Sequence, residues 1–282
     1  MLQDLGELVA AMRPFLDQAV LCGGWAAYLY RCLPGVSVAS APLLTKDFDW
    51  ALPRDLGTMA GSLDACLVSG SFVSVPCGDS IPAVTRYQHE RWGRDQLGPV
   101  YAELLVPLHG AALDRTGGSR SVVELTGHGG ATAQALRFLE LLLEGTIEVD
   151  LGDVQDLPLP KGSVVQIPHP ANYAIQKCLA IPKRNAKDRD KDFAYLFETA
   201  VCTRRTWASL KDRVAEIEGS SKLHGTWLRR VRADLARWYR DAASDGVVGA
   251  CRVIRSVPER ASTTESQVER IMDQFLSAIG LR

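Results

Sequence analysis

Asp47 and Asp49 flank Phe48 and so place two carboxylates one residue apart. On an extended backbone successive side chains point to opposite faces, so both acids face the same way, where a divalent cation can bridge them. Upstream stands Gly23-Gly24, with 22 residues between Gly24 and Asp47. The chemistry this combination suits is metal-assisted attack on a nucleoside triphosphate. Two cations held about 3.5–4 Å apart activate the attacking hydroxyl, neutralise the triphosphate and stabilise the departing pyrophosphate. Magnesium favours a few carboxylates plus phosphate oxygens, which calls for a third acid on a neighbouring strand. Glu103, alone among apolar residues in Tyr101-Ala102-Glu103-Leu104-Leu105-Val106-Pro107, is the first choice; Glu124 in Val122-Val123-Glu124-Leu125 competes. Gly23 and Gly24 suit close approach of backbone to a phosphate, because no side chain intervenes.

The elements that must position these groups follow from periodicity. Leu5, Leu8, Val9, Met12, Phe15 and Leu16 recur at three- and four-residue intervals, predicting an amphipathic helix over residues 2–16. A short strand over 19–22, the diglycine turn and a helix over 25–33 come next, the helix halted by Pro34-Gly35. Alternation over 47–52 predicts the strand that carries both acids. Asp55 is placed to cap a helix running through Leu67. Strands are expected at 71–75, 83–89, 100–106, 122–125, 146–151 and 164–167, with a helix-like run over 131–144. Beyond Pro168 and Pro170 the pattern turns helical, at 172–181, 189–202, 206–218, 222–242 and 265–279, while 256–266 reads as a polar loop. The expected class is α+β: a small mixed sheet with flanking helices over 1–168, followed by a helical domain over 169–282.

Composition bounds what such a chain does. Its 282 residues are 46% hydrophobic and 23% charged, typical of a soluble globular protein with room for one large domain or two. No apolar run approaches the roughly 20 residues that span a bilayer, and the acidic start lacks a signal peptide's basic region, so no membrane association and a cytoplasmic location are expected. Seven scattered cysteines without Cys-x-x-Cys spacing read as buried thiols. The net charge of −1 hides a division: residues 1–159 carry −9 and residues 160–240 carry +9. The basic segment suits a polyanion. Within it, residues 226–240 place Trp227, Leu228, Val231, Leu235, Trp238 and Tyr239 for packing and leave Arg229, Arg230, Arg232, Arg237 and Arg240 outside, where they can meet an RNA backbone or pair with acids.

Gly23-Gly24, Asp47-Phe48-Asp49 and Glu103 resemble the signature of the DNA polymerase β superfamily of nucleotidyltransferases. The interval between diglycine and acids exceeds that of its shortest members and is similar to the AbiEii-type branch, which includes the MenT toxins. In that branch a helical region carries a lysine, then an arginine and a Lys/Arg-Asp pair; Lys177, Arg184 and Lys191-Asp192 stand here in that order. The resemblance covers roughly residues 19–200.

The resemblance implies a nucleotidyltransferase that moves a nucleoside monophosphate from an NTP to a hydroxyl, with Mg2+ or Mn2+ held by Asp47, Asp49 and Glu103. Glu103 would also activate the acceptor. Gly23, Gly24, Thr45, Lys177 and Arg184 would serve the nucleotide, Lys177 and Asp192 would assist the chemistry, Lys187 would join Arg184 on phosphates of nucleotide or acceptor, and Arg31 and Thr45 are the weaker candidates. It also implies tRNA or another RNA as acceptor, a role as a toxin, and a cognate antitoxin. The alternatives are a nucleotidyltransferase acting on a protein hydroxyl or on a small molecule such as an antibiotic, and a non-catalytic nucleotide-binding module.

Overall fold

The computed structural model describes residues 2–36, 38, 40–43, 45–57, 61–78, 82–89, 101–110, 121–154 and 159–282. Val100, at the start of one expected strand, and Thr58–Ala60, inside the helix expected from Asp55, lie outside the described residues. The fold is α+β and divides into two compact units: Met1–Ala26 with Thr45–Pro168, and Ala27–Leu44 with His169–Arg282.

The first unit is built on a mixed sheet of β1 (Val20–Leu21), β2 (Phe48–Ala51), β3 (Phe72–Cys77), β4 (Val84–His89), β5 (Ala102–Pro107), β6 (Val122–Glu124), β7 (Thr132–Leu136), β8 (Ile147–Asp150) and β9 (Val164–Ile167). The main order is β3-β4-β5-β2-β1-β9-β8. Strand β5 runs parallel to β2 on one side, and its other edge is shared between β4, antiparallel at Ala102 and Glu103, and β7, parallel from Leu105 to Pro107. Helix α1 (Leu2–Met12) buries Leu5, Leu8, Val9 and Met12, the stripe its periodicity predicts. It tightens into a 3-10 turn, Arg13–Phe15, where Pro14 has no amide to donate.

Two expectations in this unit are corrected. Asp55 lies in a turn and is followed by non-helical Leu56 and Gly57; α3 (Leu63–Ser69) begins after Ser62, whose hydroxyl accepts from the Ala65 amide at 3.1 Å. Buried His128 completes that cap: its Nδ1 accepts from Leu63 N–H at 3.2 Å, so Nε2 carries the proton and donates to the Leu56 carbonyl at 3.1 Å. The helix-like run over 131–144 is strand β7 followed by a short helix α4 (Glu140–Leu143), with Phe138 at φ 65° turning the chain between them. Pairing with β5 outweighs local helix preference, because β7 gains backbone partners on both sides.

Helix α2 (Gly23–Leu29) starts in the first unit, passes the division at Ala26, and ends in the 3-10 turn Tyr30–Cys32. The second unit contains α5 (Pro170–Ala180), α6 (Ala186–Cys202), α7 (Trp207–Ser220), α8 (Lys222–Trp238), α9 (Asp245–Ile254) and α10 (Glu265–Ala278). Helix α8 stops at Trp238, four residues short of the expected end, and a 3-10 turn, Pro258–Arg260, interrupts the expected loop. Helix α9 was not foreseen: two glycines, poor helix formers, stand in its DGVVGA start, and both are there for packing. A Cβ on Gly249 would stand 2.5 Å from Asp190 Oδ1 and 3.0 Å from the Phe193 ring, and one on Gly246 2.7 Å from the Trp238 carbonyl. Close approach to α6 and α8 is what offsets glycine's helix penalty of about 1 kcal/mol each.

Candidate active site

In the first unit the acids meet through strand register. Phe48 and Trp50 are fully buried on one face of β2, and Phe48 stacks on Trp25 with ring centroids 4.8 Å apart, anchoring the strand beneath the start of α2. Burying each such ring contributes about 2–3 kcal/mol. Asp49 faces the other way and is half-buried; Asp47, just before the strand, is exposed. Asp49 is in register with Glu103 across the parallel β2–β5 pair, and Glu103 with Arg86 across the antiparallel β4–β5 pair. Registered residues point to the same face, so Asp49, Glu103 and Arg86 form one row over three strands. Arg86 Nη2 lies 2.7 Å from Glu103 Oε1, and its guanidinium stands 5.5 Å from the centroid of the Tyr101 ring. Glu124 is exposed on β6, which among the described residues pairs only with β7, and stands outside the row.

Gly23 has a more specific reason than the one expected of it. Its φ is +60°, and a Cβ there would stand 1.9 Å from Asp49 Oδ2 and 2.9 Å from Asp49 Cγ. The missing side chain is the space that the Asp49 carboxylate fills. The Cys22 amide donates to the Asp49 carbonyl at 2.8 Å, so backbone and carboxylate of Asp49 are both set by the turn into α2. Gly24 lies in the first turn of that helix, and Thr45 is half-buried two residues before Asp47.

The donor set fits a hard divalent cation: carboxylates, two of them on adjacent paired strands, with no histidine or thiol among them. Among the described residues no group of three or more His, Cys, Asp or Glu is gathered closely enough to hold a metal, and the Glu103 carboxylate is turned to Arg86.

In the second unit Lys177 of α5 and Asp192 of α6 form a buried ion pair, Nζ to Oδ1 at 2.7 Å, with side chains 9% and 5% exposed. The ammonium also lies 5.4 Å from the Tyr173 ring centroid and 5.5 Å from that of Tyr195. Arg184 Nε stands 3.4 Å from Asp192 Oδ2 without the geometry of a hydrogen bond. Lys177, Arg184 and Asp192 are thus brought together, whereas Lys187 and Lys191 are exposed. Capping of α5 falls to His169, whose Nδ1 accepts from the Ala171 amide at 3.2 Å; burial pushes its pKa down to about 4, with the Arg213 charge adding to the effect.

Arg31 does not fit a phosphate contact. It lies 3.3 Å from buried Glu198 Oε2 and donates to the carbonyls of Val38 and Ser40, while Arg260 reaches Glu198 Oε1 at 2.6 Å and the Ala41 carbonyl at 3.2 Å. Together they tie the 38–41 segment to α6. Burial raises the Glu198 pKa, opposed by the two arginines. The arginines of residues 226–240 are mostly spent within the unit: Arg232 forks onto Glu218, Arg230 and Arg237 share Asp234, and Arg240, just past the end of α8, meets Asp241. Arg86 escaped the sequence reading because the signal for it, alternation along β4, says nothing of which strand lies alongside.

Among the described residues no helix is long and apolar enough to cross a membrane. No curated protein and no solved structure matches the chain. The profile of a nucleotidyltransferase family matches residues 1–218, most of the chain and the whole acid-bearing sheet, and the protein therefore belongs to that nucleotidyltransferase family.

Proposed function

We propose that the protein transfers a nucleoside monophosphate from an NTP to a hydroxyl acceptor in a divalent-cation-dependent reaction at the Asp47, Asp49 and Glu103 face. The observation that carries this is the registered Asp49–Glu103 pair, with Asp49 seated where Gly23 has no side chain. A cation of the Mg2+ or Mn2+ type, bound there, would neutralise the triphosphate and polarise its α-phosphate. The two aspartates and Glu103 would hold it. The acceptor oxygen forms a bond to the α-phosphorus as the bond to the bridging oxygen breaks, pyrophosphate leaves, and Glu103 takes the acceptor proton. Gly24, at the start of α2, leaves backbone open toward the phosphates.

The AbiEii/MenT-like reading draws support from the meeting of Lys177, Arg184 and Asp192, the residues whose order suggested it. That reading makes the tRNA 3′ end the acceptor and adds a toxin role with a cognate antitoxin. Pairing of Arg230, Arg232, Arg237 and Arg240 with acids of their own unit leaves less free positive charge for RNA than residues 160–240 suggest by count.

The test is Asp49→Asn beside Asp47→Ala, each incubated with α-labelled NTPs, Mg2+ or Mn2+, and total cellular RNA or total protein. Transfer should fall by at least about 100-fold, the scale of removing one charge-stabilising group, with circular dichroism unchanged. Undiminished transfer by Asp49→Asn would sink the assignment; label in protein and none in RNA would sink the tRNA acceptor alone.

A further inference from the structure

The row that brings Asp49 beside Glu103 also brings a permanent cation to it. Arg86 is two strands from β2, yet its guanidinium lies 2.7 Å from the Glu103 carboxylate. The pairing is one-sided. Contact runs through Nη2, while Nε is buried without a hydrogen-bond acceptor among the described residues. The side chain is 38% exposed against 16% for Glu103, so the arginine is the more solvent-accessible partner of the pair. Tyr101 supports it at 5.5 Å. Arginine keeps its charge at every accessible pH, so it cannot relieve crowding by losing a proton.

Two of the three acids proposed to hold a cation lie side by side on paired strands, and like charges so placed are costly unless something neutralises them. Arg86 is positioned to do so for Glu103. Resting on the cation site read above, we propose that Arg86 is the internal counter-ion of the acid row. It neutralises Glu103 when no divalent cation is bound and competes with the cation for that carboxylate. Binding of the cation then requires the guanidinium to leave Glu103. A dication sharing one carboxylate with a guanidinium loses roughly a factor of ten in affinity even at the dielectric constant of water.

The experiment is Mn2+ binding to the full chain without nucleotide, read by the electron paramagnetic resonance of free Mn2+, with thermal melting in EDTA and in Mn2+ alongside. Wild type is compared with Arg86→Met, Arg86→Gln, Arg86→Lys and Asp49→Asn. Both neutral variants should bind Mn2+ about tenfold more tightly, melt lower than wild type in EDTA and gain more from Mn2+. Arg86→Lys, which keeps the charge, should stay within about threefold of wild type. Arg86→Gln keeps a hydrogen-bond donor for Glu103 and serves if the methionine variant does not fold. Equal or weaker Mn2+ binding by the folded neutral variants, with Asp49→Asn impaired, overturns the counter-ion role and leaves the cation site standing. Mn2+ binding unchanged in Asp49→Asn overturns both.

Discussion

Gly23→Ala separates the two jobs of one glycine. The residue sits at φ +60°, where an L side chain costs about 1–2 kcal/mol in backbone strain. The new methyl would also lie 1.9 Å from Asp49 Oδ2, where ordinary contact begins near 3.4 Å, so the carboxylate must retreat by about 1.5 Å. That oxygen ends a side chain that can turn, so the fold survives and the stability loss stays near the backbone cost, about 2 kcal/mol or roughly 4–8 °C in Tm. The loss of transfer is the larger effect, because a 1 Å misplacement of a reacting group costs about 100-fold. Gly162→Ala is the control: φ there is +85° and nothing lies within 4 Å of the added Cβ, so it carries the backbone strain without the displaced acid. The assay pairs thermal unfolding with label transfer from α-labelled NTP. Both variants should lose comparable stability, and only Gly23→Ala should lose transfer. Wild-type transfer by Gly23→Ala would refute the claim that Gly23 exists to seat Asp49.

Lys177→Met leaves buried Asp192 facing only Arg184 and should destabilise the protein by about 3 kcal/mol, with much of it restored in Lys177→Met/Asp192→Leu; urea titration reads both, and no loss in the single variant would contradict the buried pair. His169 has a native pKa of about 4 against 6.5 in the unfolded chain, so its contribution is complete above 6.5 and is lost as pH falls toward 4. After allowing for its partial exposure this is on the order of 1–2 kcal/mol. His169→Asn keeps an N-cap and should flatten that part of the Tm–pH curve; an unchanged slope would remove His169 as its source.

How much was legible depends on whether the signal is local. The strand that bears Asp49, with Asp47 just before it, was readable because alternation in β2 is a property of four consecutive residues. Helices α1, α5, α6, α7 and α10 were readable for the same reason at a longer period. Glu103 stood out as one acid among apolar neighbours. By contrast, β7 hid in a run whose alanines and leucines favour a helix, and α9 hid behind two glycines that make sense only against Trp238 and Asp190. By sequence Arg31 is a weaker phosphate candidate, and nothing local in the chain points to Glu198, 167 residues away, as its partner.

The sequence alone therefore determined which groups are on offer: two acids one residue apart, a third on an apolar strand, a diglycine before a helix, and a chain whose periodicities build a sheet and then helices. Those are consequences of backbone geometry within a few residues. Register was decided only in three dimensions, since hydrogen bonding between strands distant in sequence is what set Glu103 opposite Asp49 and Arg86 opposite Glu103. Tertiary packing likewise made Gly23 the seat of a carboxylate, because only the fold brings Asp49 over it.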